Sequence, residues 1–223
     1  MSVYEELIHE VGFNLAHQVR NPLGVIQSLT QSLAVSRRQR RADANAFAAI
    51  GKSIDSLNER LDEIVDFCKP LDCVRTPVRP AFLLESALIV TEAACRSRRV
   101  TLERSYYAGR SRMQADAQML KTSLLHIIFN ALEAMPLGGS LKVGCQRCED
   151  IHGMVSLSVE DTGMGIKPEN LKLVTHPFFT TKPDAAGLGL AVVKRVVIAH
   201  AGSLKIDSTL GKGTKVEMLL PTD

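Results

Sequence analysis

The chain has 223 residues, 45% hydrophobic and 23% charged, a globular composition long enough for one large domain or two modest ones. A formal net charge of +3 is too small to argue for nucleic acid, and three Tyr, seven Phe and no Trp leave little material for a base-stacking surface. No stretch approaches the ~18 consecutive apolar residues of a membrane span, and the opening MSVYEELIHEVG lacks a signal-peptide layout. The expectation is a soluble, cytoplasmic chain with no nucleic-acid partner and no membrane segment, which a sensor or membrane region could precede. The five cysteines, at 68, 73, 95, 145 and 148, are odd in number and scattered, unlike a secreted disulfide framework. Cys145 and Cys148 form a lone CxxC without the second ligand pair of a structural zinc site, so no metal role is expected for them.

In chain order, Leu7, Val11, Leu15, Val19, Leu23, Ile26, Leu29 and Leu33 recur at intervals of three and four, the stripe of an amphipathic helix. A basic turn, SRRQRR, follows. Phe47, Ile50, Ile54, Leu57, Leu61, Ile64 and Cys68 then alternate strictly between steps of three and four, an a/d heptad that asks for a partner helix. Two such helices form an antiparallel hairpin whose apolar faces stay uncovered. Two copies close a four-helix bundle, so a homodimer is expected. Within the first helix, LAHQVRNPLG places His17 about 200° from the centre of the stripe, on the solvent side, with Asn21 about 40° from it in projection. Pro22 cannot donate to the carbonyl of Gln18 and bends the helix beside the histidine.

The stretch KPLDCVRTPVRP carries three prolines, which end the second helix and stiffen a linker. The organisation read from this is a helical hairpin over 1–70, a linker over 71–80 and a second domain over 81–223. In that domain Phe82 to Cys95 reads as a helix, and Val100 to Tyr106 and Arg112 to Ala115 as short strands. Asp116 caps a helix running through Met135. Leu141 to Cys145 and Val155 to Glu160 alternate like paired strands. Ala191 to His200 is a helix ended by Gly202, and Ser203 to Ser208 and Thr214 to Leu220 are strands. The order predicts an all-α helical hairpin followed by an α+β two-layer sandwich with a mainly antiparallel sheet.

Two glycine-rich stretches carry chemistry. VEDTGMGI ends a strand on Asp161, which can present a carboxylate to a donor such as an adenine amino group, while Gly163 and Gly165 let backbone approach closely; it can equally be a plain turn. AGLGLAVV opens a helix, and glycines ahead of a helix N-terminus expose N–H groups to phosphate. Between them HPFFTTKPDAA is a long polar loop, either a lid or disorder. Asn130, on the apolar helix HIIFNALEAM, either makes a structural hydrogen bond or offers its amide oxygen to a magnesium ion that also holds ATP phosphates. His126, one turn earlier, is either packing or a neighbour of that ion.

Taken in order, these segments resemble the sensor histidine kinases, nearest to the nitrogen-regulation type. LAHQVRNPLG is similar to the H box, HIIFNALEAM to the N box, VEDTGMGI to the G1 box, HPFFTTK to the F box and AGLGLAVVKRVV to the G2 box. The resemblance implies a dimeric phosphoacceptor hairpin followed by an ATP-binding domain of the Bergerat (GHKL) type. It implies that His17 accepts the γ-phosphoryl group of ATP, with Gln18 and Asn21 beside it, and passes it to a response regulator. It implies further that Asn130 binds Mg²⁺, that Asp161 reads the adenine, and that Gly163, Gly165, Gly187, Leu188 and Gly189 shape the nucleotide site, with Phe179 and Lys182 in the lid. The chain departs from the family pattern at Gln18, where an acid is usual, at His126, where an Asn is usual, and at Ala185-Ala186, where Gly-Thr or Gly-Ser is usual. Two other readings stand beside the kinase: a degenerate relative that binds ATP and mainly docks or dephosphorylates a regulator, and an ATPase of the same superfamily.

Overall fold

In a computed structural model the chain is described at residues 23–26, 28–30, 47–55, 57, 64, 67, 71–107, 112–148, 153–182 and 185–222. His17, Gln18 and Asn21 lie outside the described residues. The chain divides into two compact units. One comprises residues Met1–Lys69 with Pro177–Leu188; the other comprises Pro70–His176 with Gly189–Asp223.

In the first unit, residues 23–26, 28–30, 47–55, 57, 64 and 67 are helical, on the two segments the periodicity marks as helices. Ile64 and Phe67 are buried, and the Phe67 ring meets the edge of Phe178 with centroids 6.4 Å apart. An aromatic pair of this geometry adds about 1 kcal/mol beyond its buried area.

The second unit begins with β1 (Thr76–Val78), α1 (Pro80–Ser97), β2 (Val100–Tyr106), β3 (Met113–Ala115) and α2 (Ala117–Glu133). It continues with β4 (Gly139–Arg147), β5 (Met154–Asp161), α3 (Pro168–Leu171), α4 (Gly189–Ala199), β6 (Ser203–Thr209) and β7 (Gly213–Pro221). Five strands form one sheet in the order β2-β4-β5-β7-β6. Every pairing in it is antiparallel except β2 with β4, which run parallel because α2 crosses over between them.

Alternation decides which face of the sheet is covered. Val155, Leu157 and Val159 of β5, Leu141, Val143 and Cys145 of β4, and Val216, Met218 and Leu220 of β7 are buried. The intervening Ser158, Glu160, Lys142 and Lys215 are not, and the two intervening residues that are, Ser156 and Glu217, are polar and hydrogen-bonded to each other at 3.2 Å, so the helices lie on the apolar face. Helix α2 turns Leu120, Leu124, Ile127, Ile128, Ala131 and Leu132 inward at helical spacing, and packs between α1 and α4. The result is the two-layer α/β arrangement expected from the order of elements.

Asp116 caps α2 as the sequence suggests: its Oδ1 accepts from the backbone N–H groups of Gln118 at 3.1 Å and Met119 at 3.0 Å. The stretch before α1 holds more structure than its prolines announce. β1 pairs antiparallel with β3, the Val74 N–H donates to Asp116 Oδ2 at 3.1 Å, and the Arg75 guanidinium donates to the carbonyl of Ala199 at 2.7 Å, at the end of α4. His200, 2% exposed, accepts from the Asp116 N–H through Nε2 at 2.9 Å, and Cys73 Sγ lies 3.4 Å from the same nitrogen. Residues 73–78 are therefore fastened to the sheet and helices of this unit.

Leu124 has no exposed surface and stands at the centre of the helix layer. Leu124→Ala is expected to cost about 3 kcal/mol, the transfer energy plus the cavity left behind. Urea unfolding followed by circular dichroism should show the midpoint fall; an unchanged midpoint would contradict this core.

Candidate functional site

The second unit gathers its unusual residues at the carboxyl end of β5. Asp161 is the last residue of that strand, is 7% exposed, and has no cation paired with it among the described residues. Burial pushes its carboxyl above the usual carboxylate range, against the opposing effect of hydrogen bonds from the backbone N–H groups of Gly163 and Thr214. The Gly163 N–H approaches Oδ1 to 2.8 Å. A carboxylate in this setting has acceptor capacity that no side chain among the described residues uses up.

The loop after Asp161 rests on α2. The Met164 N–H donates to the carbonyl of Ala134 at 3.0 Å, and a Cβ at Gly163 would lie 2.5 Å from that same oxygen. The Ala134 N–H in turn donates to the carbonyl of Asn130 at 3.0 Å. Asn130 and Asp161 are thus tied through one helix end. Gly165 has φ +67°, and a side chain there would run into the carbonyl of Thr209. Thr162 returns to β4, its hydroxyl accepting from the Ser140 N–H at 3.0 Å.

Asn130 and His126 sit one turn apart on α2 and share a face. Both reach Gly189, the first residue of α4: a Cβ there would lie 3.5 Å from His126 Nδ1 and 3.8 Å from Asn130 Nδ2. Both side chains are half-buried, and burial alone draws the His126 imidazole below its ordinary pKa.

The remaining residues of the sequence reading belong to the first unit. There Gly187 takes φ +73°, and a Cβ on it would come within 2.6 Å of the backbone of Phe178, itself at φ +65°. Leu188 is buried, Phe179 half-buried and Lys182 exposed. The Thr180 hydroxyl accepts from the Lys182 N–H at 3.0 Å, tightening the turn that carries the lysine.

Asp161, Gly163 and Gly165 therefore form one loop cluster, and Asn130 and Gly189 meet a turn away. Two contributors escaped the sequence reading. Gly213, at φ +121°, has no room for a side chain beside the carbonyl of Asp161, and Thr214 holds the carboxylate. The signal was the GKGT stretch, which reads as a turn and strand until its neighbour across the sheet is known.

Residues 115–223 match the family described as histidine kinase-, DNA gyrase B- and HSP90-like ATPases. The sensor histidine kinase ZraS of Klebsiella oxytoca is 32% identical over 210 residues, which cover 94% of this chain and 45% of that protein. A solved mycobacterial sensor histidine kinase, MprB, is 30% identical with a TM-score of 0.58, covering 67% of this chain and 98% of its own. Histidine kinase ThkA, solved in complex with the response regulator protein TrrA, is 20% identical with a TM-score of 0.81, covering 99% of this chain and 63% of its own, and shares the fold. The chain spans less than half the length of the curated relative ZraS.

The lowered pKa of His126 carries a pH signature. Protonation is harder in the folded chain than in the unfolded one, whose value is near 6.5. Stability from this group is present above that value and is lost as pH falls through the folded pKa. His126→Asn should therefore lose less stability than the native chain between about pH 7 and pH 5. Paired denaturant titrations across that range check this; parallel losses in both proteins would contradict it.

Proposed function

Because the chain belongs to the sensor histidine kinases and carries their catalytic core, we propose that it is an ATP-dependent kinase that phosphorylates its own His17 and passes the group to an aspartate of a response regulator. The observation that carries this reading is the Asp161 carboxylate, buried, held by two backbone N–H groups and without a cation among the described residues. Such a group fits the exocyclic amino group of adenine, a neutral donor that gives a buried carboxylate a partner without adding charge.

The glycine loops support the same reading. Gly163 and Gly165 keep the floor beside Asp161 free of side chains, and Gly189 opens α4, where free N–H groups favour phosphate. Gly187 and Leu188 lead into that helix, and the resemblance to the family gives Phe179 and Lys182 a role in nucleotide binding. The amide oxygen of Asn130 suits a hard cation, and Mg²⁺ held there would neutralise charge on the phosphates during transfer.

A neutral imidazole is nucleophilic at cytoplasmic pH. One nitrogen of His17 attacks the γ-phosphorus. The new N–P bond replaces the bond to the β–γ bridging oxygen, ADP leaves, and the other ring nitrogen loses its proton. Gln18 orients the ring through its amide oxygen but cannot accept that proton. Asn21, four residues on in the sequence, would orient water for dephosphorylating the regulator.

The hairpin would dimerise into a four-helix bundle. Leu23, Phe47 and Ile54 remain 49%, 64% and 42% exposed in the single chain, as helices awaiting a second copy should be. Among the described residues no helix is long and apolar enough to cross a membrane. The kinase would work in the cytoplasm, whether or not the whole protein is membrane-bound.

Incubation with Mg²⁺ and ATP radiolabelled at the γ-phosphate tests the proposal. The native chain should take up acid-labile label, and His17→Ala should lose it by at least about a hundredfold while still binding nucleotide. Release of free phosphate with no labelled protein would contradict the kinase and favour an ATPase. In the same assay Gln18→Glu, which restores a proton acceptor, should label faster; no gain would remove that role from position 18.

A further inference from the structure

At the carboxyl end of β5 a polar row crosses three strands. Asp161 of β5 pairs with Thr214 of β7, and Thr214 pairs with Ser208 of β6. Each stands two residues along its strand from an apolar residue of the helix-covered face, Val159, Val216 and Ile206, so the row lies on that face. Ser208 is half-buried, and the nucleotide reading leaves it without a task. Its hydroxyl accepts from the Ile166 N–H at 2.9 Å, donates to the carbonyl of Gly213 at 2.9 Å, and lies 2.9 Å from the Thr214 hydroxyl.

These partners belong to the surroundings of Asp161. Ile166 closes the loop that leaves Asp161 through Gly163 and Gly165. Gly213 and Thr214 are the residues of β7 against which Asp161 is held. One hydroxyl therefore completes a ring that runs from Asp161 along the loop and back by way of β7. Glycines give the loop little stiffness of its own, so its course depends on such ties. Met164 fastens its middle, donating to the carbonyl of Ala134 at 3.0 Å and accepting from the Gly211 N–H at 2.7 Å. Ser208 fastens its far end.

We propose that Ser208 is a positioning residue of the purine site: it locks the 162–166 loop to the strand that holds Asp161, and so fixes the direction of the carboxylate without touching the nucleotide. This rests on the nucleotide reading of the same site. A hydrogen bond weakens steeply as its angle departs from linear, so a misdirected carboxylate loses its preference for an amino donor before it loses the rest of the nucleotide. Removing the hydroxyl also leaves the Ile166 N–H without its acceptor, and the loop can then lift at its glycines. Threonine keeps the hydroxyl and suits a strand, whereas valine keeps the shape of threonine without the hydroxyl.

Calorimetric titration of the full chain with ATP and with ITP, each with Mg²⁺, tests this, the fold of every variant being checked by circular dichroism. Ser208→Ala should lower the affinity for ATP by about tenfold and that for ITP, whose six-position carbonyl makes no such bond, by less than about twofold. Ser208→Thr should keep the native preference for ATP, and Ser208→Val should lose it, a comparison at constant shape that does not depend on the alanine variant. Equal weakening for both purines would make Ser208 a structural hydroxyl and overturn the inference, as would a valine variant that matches threonine. A native chain that prefers ATP, with the full preference surviving in Ser208→Ala, would overturn the inference and leave the nucleotide reading standing. A native chain that binds neither nucleotide would overturn both.

Discussion

A carboxylate buried at the end of a central strand, given backbone N–H groups but no cation among the described residues, destabilises the fold. The raised pKa of Asp161 is the signature of that cost: burial opposes the charged form more than its two hydrogen bonds favour it. Much of the neighbouring architecture serves to hold this one group. Gly213 lets β7 start against the carbonyl of Asp161. Thr214 and Gly163 supply the N–H groups, and Gly163 can do so only because it lacks a side chain above Ala134. A partly unsatisfied acid maintained by so many close approaches fits the binding role proposed for it.

The same helix end relates the two halves of the site in this unit. Ala134 receives the loop after Asp161, and its own N–H returns to Asn130, so both residues are positioned by one element, α2. At its other terminus α2 is capped by Asp116, whose second oxygen takes the Val74 N–H and whose own N–H meets His200 just past α4. Helix α4 therefore begins at Gly189 beside Asn130 and ends where residues 73–75 are fastened. The segment over residues 74–75 is thereby anchored to the start of α2 and the end of α4.

The sequence was most legible where signals are local. Val155, Leu157 and Val159 alternate with the polar Ser156, Ser158 and Glu160 because only one face of the sheet packs against helices, and Asp116 announces α2 because a cap acts over three residues. Boundaries of β2, β6 and β7 came out within a residue or so for the same reason. β1 was not legible: it is three residues long, includes Pro77, and exists through its pairing with β3 far along the chain. Nor was the parallel pairing of β2 with β4, which depends on how α2 crosses over. In the site, Asp161 and its glycines could be read from a short motif, whereas Thr214 and Gly213 act across the sheet. The partnering of His200 with Asp116 is likewise long-range: a histidine near a helix end gives no hint that its ring reaches a distant cap.

The account stands or falls on what the Asp161 carboxylate reads. ATP and ITP differ at the purine six-position, where an amino donor gives way to a carbonyl, so their affinities report that contact directly. Calorimetric titration of the native chain should show ATP preferred over ITP by at least about tenfold, from a buried hydrogen bond gained in one case and a lone-pair clash in the other. Asp161→Asn, with its fold checked by circular dichroism, should lose most of that preference. A native chain indifferent to the two purines, or a preference that survives in Asp161→Asn, would contradict the account.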